Sequence, residues 1–350
     1  MRKFLTPFLL LFIIICTVVK TAEAQDPTAN AGAYIDAINN AETNMNKAYM
    51  AYISAAAHSS RKRKVEKMRD LAVENIITCQ TAITYLSPYN GDDSFRQSSL
   101  KYVQLCYKIF NDDYAHIVNM EEIADRSFDE MQAYLLLQEA TNDTLKAANE
   151  RMTNAVNSFA KKYNINLISE KSELGDKMEL TGKLSKYRDK VYLLFFKCNW
   201  EDNQLTEAIN QKNVTKIEQV RSAMGKYAIE GLAILDTLQA YENDSSLAGA
   251  CKQALTFYKG EAETQTPQLT DFFLKEENFN KLKNTFDAKS ADKRTQQDVD
   301  AYNKAVNDMN DGVNSYNQIN NDLNNGRNEV NKNWADTDRQ FLDTHTPYYK

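Results

Sequence analysis

The sequence predicts an all-α protein built as two tandem, duplicated four-helix up-down bundles, elongated in shape. Three observations lead there. Only 10 Gly and 5 Pro occur in 350 residues, too few to punctuate a β-rich or loop-rich fold. Apolar residues recur at steps of three and four over most of the chain, the period of amphipathic helices. One such stripe is also written twice: Val65, Met68, Ala72, Asn75, Cys79, Ala82, Leu86 and Tyr89 reappear 152 positions later as Ile217, Val220, Met224, Tyr227, Gly231, Ile234, Leu238 and Tyr241. Self-similarity at a fixed offset is the mark of a repeated unit.

The chain opens on an address label. Arg2 and Lys3 precede an apolar run over residues 4–19, and Ala22-Glu23-Ala24 supplies the small residues of a cleavage site. Residues 1–24 are expected to be a signal peptide, with the mature chain starting at Gln25. Cys16 is a poor lipidation site because Ile15 precedes it. The run is also short for a membrane anchor, which needs about 20 apolar residues. No later stretch approaches that length, so no integral span is expected after cleavage.

Two units are expected, residues 25–165 and 166–350. In the first, a helix carries Tyr34, Ile38, Ala41, Met45, Ala48, Tyr52 and Ala55 on one face. Its partner in the second unit begins near Ser172 and carries Tyr187, Val191, Leu194, Cys198, Glu201, Leu205 and Ala208, at an offset of 153. The repeated second helices then reach polar turns, Tyr89-Asn90-Gly91-Asp92 and Tyr241-Glu242-Asn243-Asp244. Thr215 with Glu218, Ser94 with Gln97 and Ser127 with Glu130 have capping-box spacing and mark helix starts. The third helix is expected to bury Leu100, Val103, Tyr107 and Phe110. Matching Tyr107-Lys108 with Tyr258-Lys259 gives an offset of 151, one residue lost in the turn. Pro267 is expected to kink or break the second copy of this helix. Val156-Asn157-Ser158-Phe159 finds its echo in Val313-Asn314-Ser315-Tyr316, an offset of 157 that implies about six residues gained between the third and fourth helices. The last helix is expected over residues 295–341, and Asn320 and Arg327 on its seam imply that this end either emerges past the core or meets polar groups.

Little chemistry is written in these elements. The three His residues stand in no zincin or di-iron spacing. There is no glycine-rich phosphate loop and no nucleophile elbow. No catalytic residue, metal or cofactor is expected. A formal net charge of −6 disfavours nucleic acid, whose phosphates want a basic surface.

Three candidate sites remain. Arg61, Lys62, Arg63 and Lys64 form a basic run for an acidic contact. They oppose the dipole of the helix they open. Cys79 and Cys106 lie symmetrically about the Asp92–Asp93 turn, at one level of an antiparallel hairpin, and are candidates for a disulfide. Phe272, Phe273, Phe279 and Phe286 give the interval after Pro267 an aromatic density that the first unit lacks, a candidate partner patch.

The signal peptide, the helix starts Lys64-Val65-Glu66 and Lys216-Ile217-Glu218, and the two Tyr-x-x-Asp turns resemble exported, all-helical surface-protein families of leptospiral and Bacteroidetes type. Those families have no assigned activity, so the resemblance implies location and plan only. The expected function is that of a non-catalytic envelope or surface protein, periplasmic or extracellular, working through contacts with another envelope protein. A periplasmic small-molecule binding or sensing bundle is the alternative.

Overall fold

A computed structural model describes residues 27–113, 128–167 and 172–349, without the side chains of residues 112–113, 128–139 and 142. The signal peptide, His116 and Ser127 lie outside the described residues. Among those described the chain is helical throughout, with no β-strand, and no helix is long and apolar enough to cross a membrane.

The helices are α1 (Ala31–His58), α2 (Lys62–Tyr85), α3 (Ser94–Tyr107), α4 (Phe128–Lys162), α5 (Glu173–Asn210), α6 (Val214–Thr237), α7 (Ser246–Gly260), α8 (Thr266–Ala288) and α9 (Gln296–His345). Wider π-helical turns extend α3 over Lys108–Asp113 and join α7 to α8 over Glu261–Gln265. The chain divides into two compact units. One runs to Tyr187 and takes back Leu342–Lys350; the other is Arg188–Phe341. The division therefore falls inside the continuous helix α5, 22 residues after the expected boundary at 165.

Burial gives the period of each helix directly. Ala72, Ile76, Cys79 and Ile83 are the buried residues of α2. Met224, Ala228, Gly231 and Leu235, each 152 further on, are buried in α6. The same offset holds in the third helices. Phe95, Ser99, Tyr102, Val103 and Cys106 are buried in α3, and Leu247, Cys251, Ala254, Leu255 and Tyr258 in α7. The expected slip to 151 is thus incorrect: both turns have the same length, and Cys106 stands level with Tyr258, not Phe257.

The fourth helices correct the sequence reading further. Phe159 packs on Tyr89 at 5.7 Å, and Phe341, not Tyr316, packs on Tyr241 at 5.8 Å. Taking Phe159 with Phe341, the buried residues Thr141, Met152, Val156 and Ala160 fall on the buried Leu323, Trp334, Asp338 and Leu342. The offset therefore rises from 152 to 182, a gain of 30 residues where about six were expected. Those residues lengthen α8 and α9 into a hairpin. Pro267 leaves this extended helix unbroken. A proline has no N–H for the carbonyl five residues back in a π turn, here Ala262, and Arg221 Nη1 donates to that carbonyl at 3.2 Å instead.

Capping departs from expectation too. Asn213, not Thr215, caps α6, its side chain accepting from Lys216 N at 3.1 Å. Ser94 does not cap α3; its N–H and hydroxyl both donate to Asp92 Oδ1, at 3.0 and 2.7 Å. Asp244 accepts the Ser246 N–H in the same way at 2.7 Å. Each turn closes with paired backbone bonds, Tyr89 to Asp92 and Tyr241 to Asp244. Both central residues have positive φ in each case: Asn90 at 49° and Gly91 at 80°, Glu242 at 48° and Asn243 at 68°. Asn-Gly suits this turn, whereas a glutamate at positive φ carries a steric cost.

Residues 342–349 close over the end of α1. The His58 ring stacks on Tyr348 with centroids 3.6 Å apart. Its Nδ1 lies 2.8 Å from Asp343 Oδ1 and its Nε2 3.0 Å from the Thr346 carbonyl. Tyr349 N donates to Ser54 Oγ at 3.0 Å.

Two outcomes are expected. Replacing Glu242 with Asn and Asn243 with Gly should raise stability by about 1 kcal/mol, read from the urea midpoint at unchanged m-value. His58→Ala should release the tail, so that the amides of residues 346–349 exchange and are cut by carboxypeptidase faster while the α2 and α3 amides do not change; equal protection in both proteins would show that the clasp contributes nothing.

Candidate functional site

The buried face of α1 is centred on two polar residues. Ile35, Ile38, Met45, Tyr49, Met50 and Ile53 flank Glu42 and Asn46, which are 2% and 0% exposed. Of the expected stripe, Tyr34, Ile38, Met45, Tyr52 and Ala55 are buried, whereas Ala41 and Ala48 are only half-buried. Two polar residues that the expected stripe left out are in fact at the centre of the core.

Other helices bring more polar groups to the same level. Ser99 of α3 lies against Glu42 and partly favours its charged form, but burial dominates and pushes the carboxyl up to about 8. Tyr102 and Cys106 of α3 and Cys79 of α2 also face Glu42, all three pushed up mainly by burial. Such thiols stay protonated and make poor nucleophiles. Asn149 of α4 joins by register. Phe159 packs on Tyr34 at 5.6 Å and on Phe95 at 5.5 Å, which fixes one level of the bundle. Glu42, Asn46 and Asn149 are 8, 12 and 10 residues from that level, within roughly 6 Å of one another along the axis at ~1.5 Å per residue. Both amide atoms of Asn46 and Asn149 Oδ1 are buried without a hydrogen-bond partner.

The corresponding positions of the second unit are filled and paired. Phe195, at the offset of Glu42, stacks on Trp334 at 4.4 Å. Asn199, at that of Asn46, donates to Tyr258 Oη at 2.9 Å and to Asn331 Oδ1 at 3.0 Å. The charges buried there are matched as well. Arg188 binds Asp338 through two bonds of 2.7 and 2.8 Å. Arg327 Nε donates to Asp202 Oδ1 at 2.6 Å, and its Nη2 to Glu261. Burial and then the Asp202 charge push Glu261 up to about 9 against the pull of Arg327, so at neutral pH the proton on Glu261 keeps the set neutral. Of the two alternatives open for Arg327, emergence past the core or contact with polar groups, the structure shows the second.

The candidates read from sequence are scattered. Arg61, Lys62, Arg63 and Lys64 are all exposed, with Lys62 3.7 Å from Glu66. Cys79 and Cys106 are buried free thiols, so the candidate disulfide is not formed, and Cys198 and Cys251 are free too. The four phenylalanines do not make one exposed patch. Phe272 and Phe273 are buried against Tyr316, at 4.7 and 5.6 Å, while Phe279 and Phe286 are half-buried on Tyr302, at 6.2 and 4.4 Å. Tyrosines of α9 cover the rings of α8.

No protein family, curated protein or solved structure matches the chain. Among the described residues no group of three or more His, Cys, Asp or Glu side chains could hold a metal ion. A groove of about 550 Å³ lies between α1 and α2, lined by Asn40, Asn44, Lys47, Asn75, Thr78 and Tyr349 among others. It opens on the side of α1 away from Glu42.

Two buried acids with raised pKa make stability depend on pH. Folding favours their protonated forms, so their contribution is complete below the ordinary value of 4.5 and is lost as pH rises to about 8 for Glu42 and about 9 for Glu261. Urea denaturation should therefore show stability falling across that window, by up to about 1.4 kcal/mol per pH unit for each group. Glu42→Gln should remove its share of the slope up to about pH 8; an unchanged slope would mean that Glu42 titrates normally.

Proposed function

We propose that the chain is an exported, non-catalytic protein of the bacterial envelope or surface, built from a helical unit written twice, that works by holding a partner protein. The duplicated four-helix plan is supported by burial at constant offset in the second and third helices and by the two matching turns. Export is supported by the leader sequence, and the resemblance to exported helical surface families points the same way.

The observation that carries the contact function is the hairpin added to the second unit. Between Phe273 and Leu323 no residue is buried. Its seam of Phe279, Leu282 and Phe286 against Val299, Tyr302, Val306 and Met309 is half-buried throughout. Two helices with one shared apolar seam cannot complete a core, and a third amphipathic helix laid along the seam would bury it. The partner proposed is thus an envelope protein that offers an apolar helical face. The smaller-ligand alternative is favoured by a different feature, the polar centre of the first unit.

Leu274 and Val313 are exposed on the hairpin, 46% and 38%, and Tyr85 of the first unit is 84% exposed. A photo-crosslinking residue at Leu274 or Val313 should capture one discrete protein in intact cells, and the same residue at Tyr85 should not. Phe279→Ala with Phe286→Ala should cut that capture about tenfold or more, with the melting of the first unit unchanged. Equal labelling at all three positions, or none at the hairpin, would refute the contact function.

A further inference from the structure

We infer that the groove between α1 and α2 binds a carbohydrate of one or two linked pyranose rings, held by side-chain amides over a floor of small apolar groups. The inference goes beyond the hairpin contact and does not need it. The groove lies wholly within the first unit, measures about 550 Å³ and draws its lining from α1, α2 and the tail. Small-molecule sites are commonly of this size.

The walls carry polar groups that the protein itself does not use. Asn40 and Asn44 stand one turn apart on α1, both exposed, and neither side chain meets a partner among the described residues. On the α2 side, Asn75 donates to the Leu71 carbonyl at 2.8 Å, which leaves its amide oxygen free to accept, and Thr78 donates to the Glu74 carbonyl at 2.9 Å. Asparagine is a poor residue for a helix interior, so the α1 pair costs stability and brings no protein contact in return. The second unit carries larger groups at these positions. At offsets of 153 and 152, Lys197 replaces Asn44 and Tyr227 replaces Asn75, and Lys197 Nζ lies 5.5 Å from the centre of the Tyr227 ring. Leu194 and Ile234 likewise stand where the groove has Ala41 and Ala82. Side chains that meet across the helix pair in one unit are thus cut back to amides and methyls in the other.

The chemistry of the lining selects the guest. Of its ten residues none is acidic, and Lys47 alone is charged. A cation or a free amino acid would find no carboxylate for its positive group, and a nucleotide would find too little positive charge for its phosphates. An apolar guest would cover the amides without pairing them, which costs free energy. A sugar meets each of these demands. Its hydroxyls both donate and accept, as the two ends of an amide do, and its C–H faces suit the alanine methyls and the Tyr349 ring. That ring is held from two sides: Tyr349 N donates to Ser54 Oγ at 3.0 Å, and Lys177 Nζ lies 5.4 Å from the ring centre. From Asn40 to Lys47 the α1 wall runs about 10 Å at ~1.5 Å per residue, which gives room for a disaccharide.

Saturation-transfer NMR on the full chain tests this with maltose, lactose, mannobiose and chitobiose, and with glutamine and citrate as competing chemistries. At least one disaccharide should receive transfer, and glutamine and citrate should not. Asn40→Ala with Asn44→Ala should weaken that binding by about tenfold and leave the melting midpoint unchanged or higher, since alanine favours the helix. Tyr349→Ala should weaken it as well. Asn157→Ala, at an exposed position of α4 outside the groove, should leave binding as it is. Transfer to none of the disaccharides, or to glutamine or citrate in their place, would overturn the inference. Binding that survives either groove change would place the sugar elsewhere and overturn it too.

Discussion

Burying a helix stripe commits whatever lies at its centre. An unpaired charge or amide there is costly because water no longer competes for it. Both first helices carry polar residues at that centre, Glu42 and Asn46 in α1, Arg188, Asn199 and Asp202 in α5. The second unit answers each one from the far end of the chain. Asp338, Asn331 and Arg327 all come from α9, so α5 and α9 are matched at three levels. At the corresponding offsets the first unit has Ile35 for Arg188, Val156 for Asp338, Tyr49 for Asp202, Ile109 for Glu261 and Leu145 for Arg327, all buried. One unit has a polar-stitched core; the other, among the described residues, buries one acid, Glu42, beside the neutral polar residues Asn46, Ser99 and Asn149.

The stitching specifies register more than it adds stability. Replacing a buried ion pair by apolar residues is often neutral or favourable, whereas stranding one partner costs about 3–5 kcal/mol. A 50-residue helix such as α9, with apolar residues repeating every three or four positions, has several nearly equivalent ways to slide along a neighbour. A slide of one heptad would strand Arg188, Asp202 and Glu261 at once. The first unit has no helix of that length among those described, and it fixes its end instead with rings. Tyr34, Tyr89, Phe95, Phe159 and Tyr163 interlock there at 4.7–5.7 Å, and Lys162 holds Asp92 at 2.6 Å.

What the sequence made legible follows from this difference. α2 and α6 were readable because their buried residues are apolar or small, so periodicity and burial coincide. The turns were readable because Tyr-x-x-Asp marks them in both copies. α1 was readable at Tyr34, Ile38, Met45, Tyr52 and Ala55 but not at its centre, where Glu42 and Asn46 interrupt the stripe and Ala41 and Ala48 mimic an apolar face. The stronger clue was the run Ile35, Ile38, Met45, Tyr49, Met50 and Ile53, which makes sense only with Glu42 inside. In the third helices a shared Tyr-Lys pair outweighed a register that the unaltered turn length already fixed. In the fourth helices the Val-Asn-Ser echo matched a hairpin seam to a core stripe, since both have the same period. Distinguishing them takes the partner of each ring: Tyr316 meets Phe272, and Phe341 meets Tyr241.

The position of the charges also explains how the second unit tolerates its extension. The last buried residues before the hairpin are Phe272 and Phe273, and the first after it is Leu323. Arg327 follows Leu323 by one turn, and Glu261 lies in the π turn that leads into α8. The ion set of Asp202, Glu261 and Arg327 therefore sits at the root of the hairpin and ties both of its helices to α5. Gly312 assists higher up, where a Cβ would come within 3.1 Å of the Phe272 ring. A load applied to the hairpin by a partner would be met at its base by a charge set whose separation is strongly opposed, while the seam above it, free of buried polar groups, can repack around an added helix at small cost. A filled, registered core below and an incomplete seam above is the arrangement that the proposed binding through the hairpin would require.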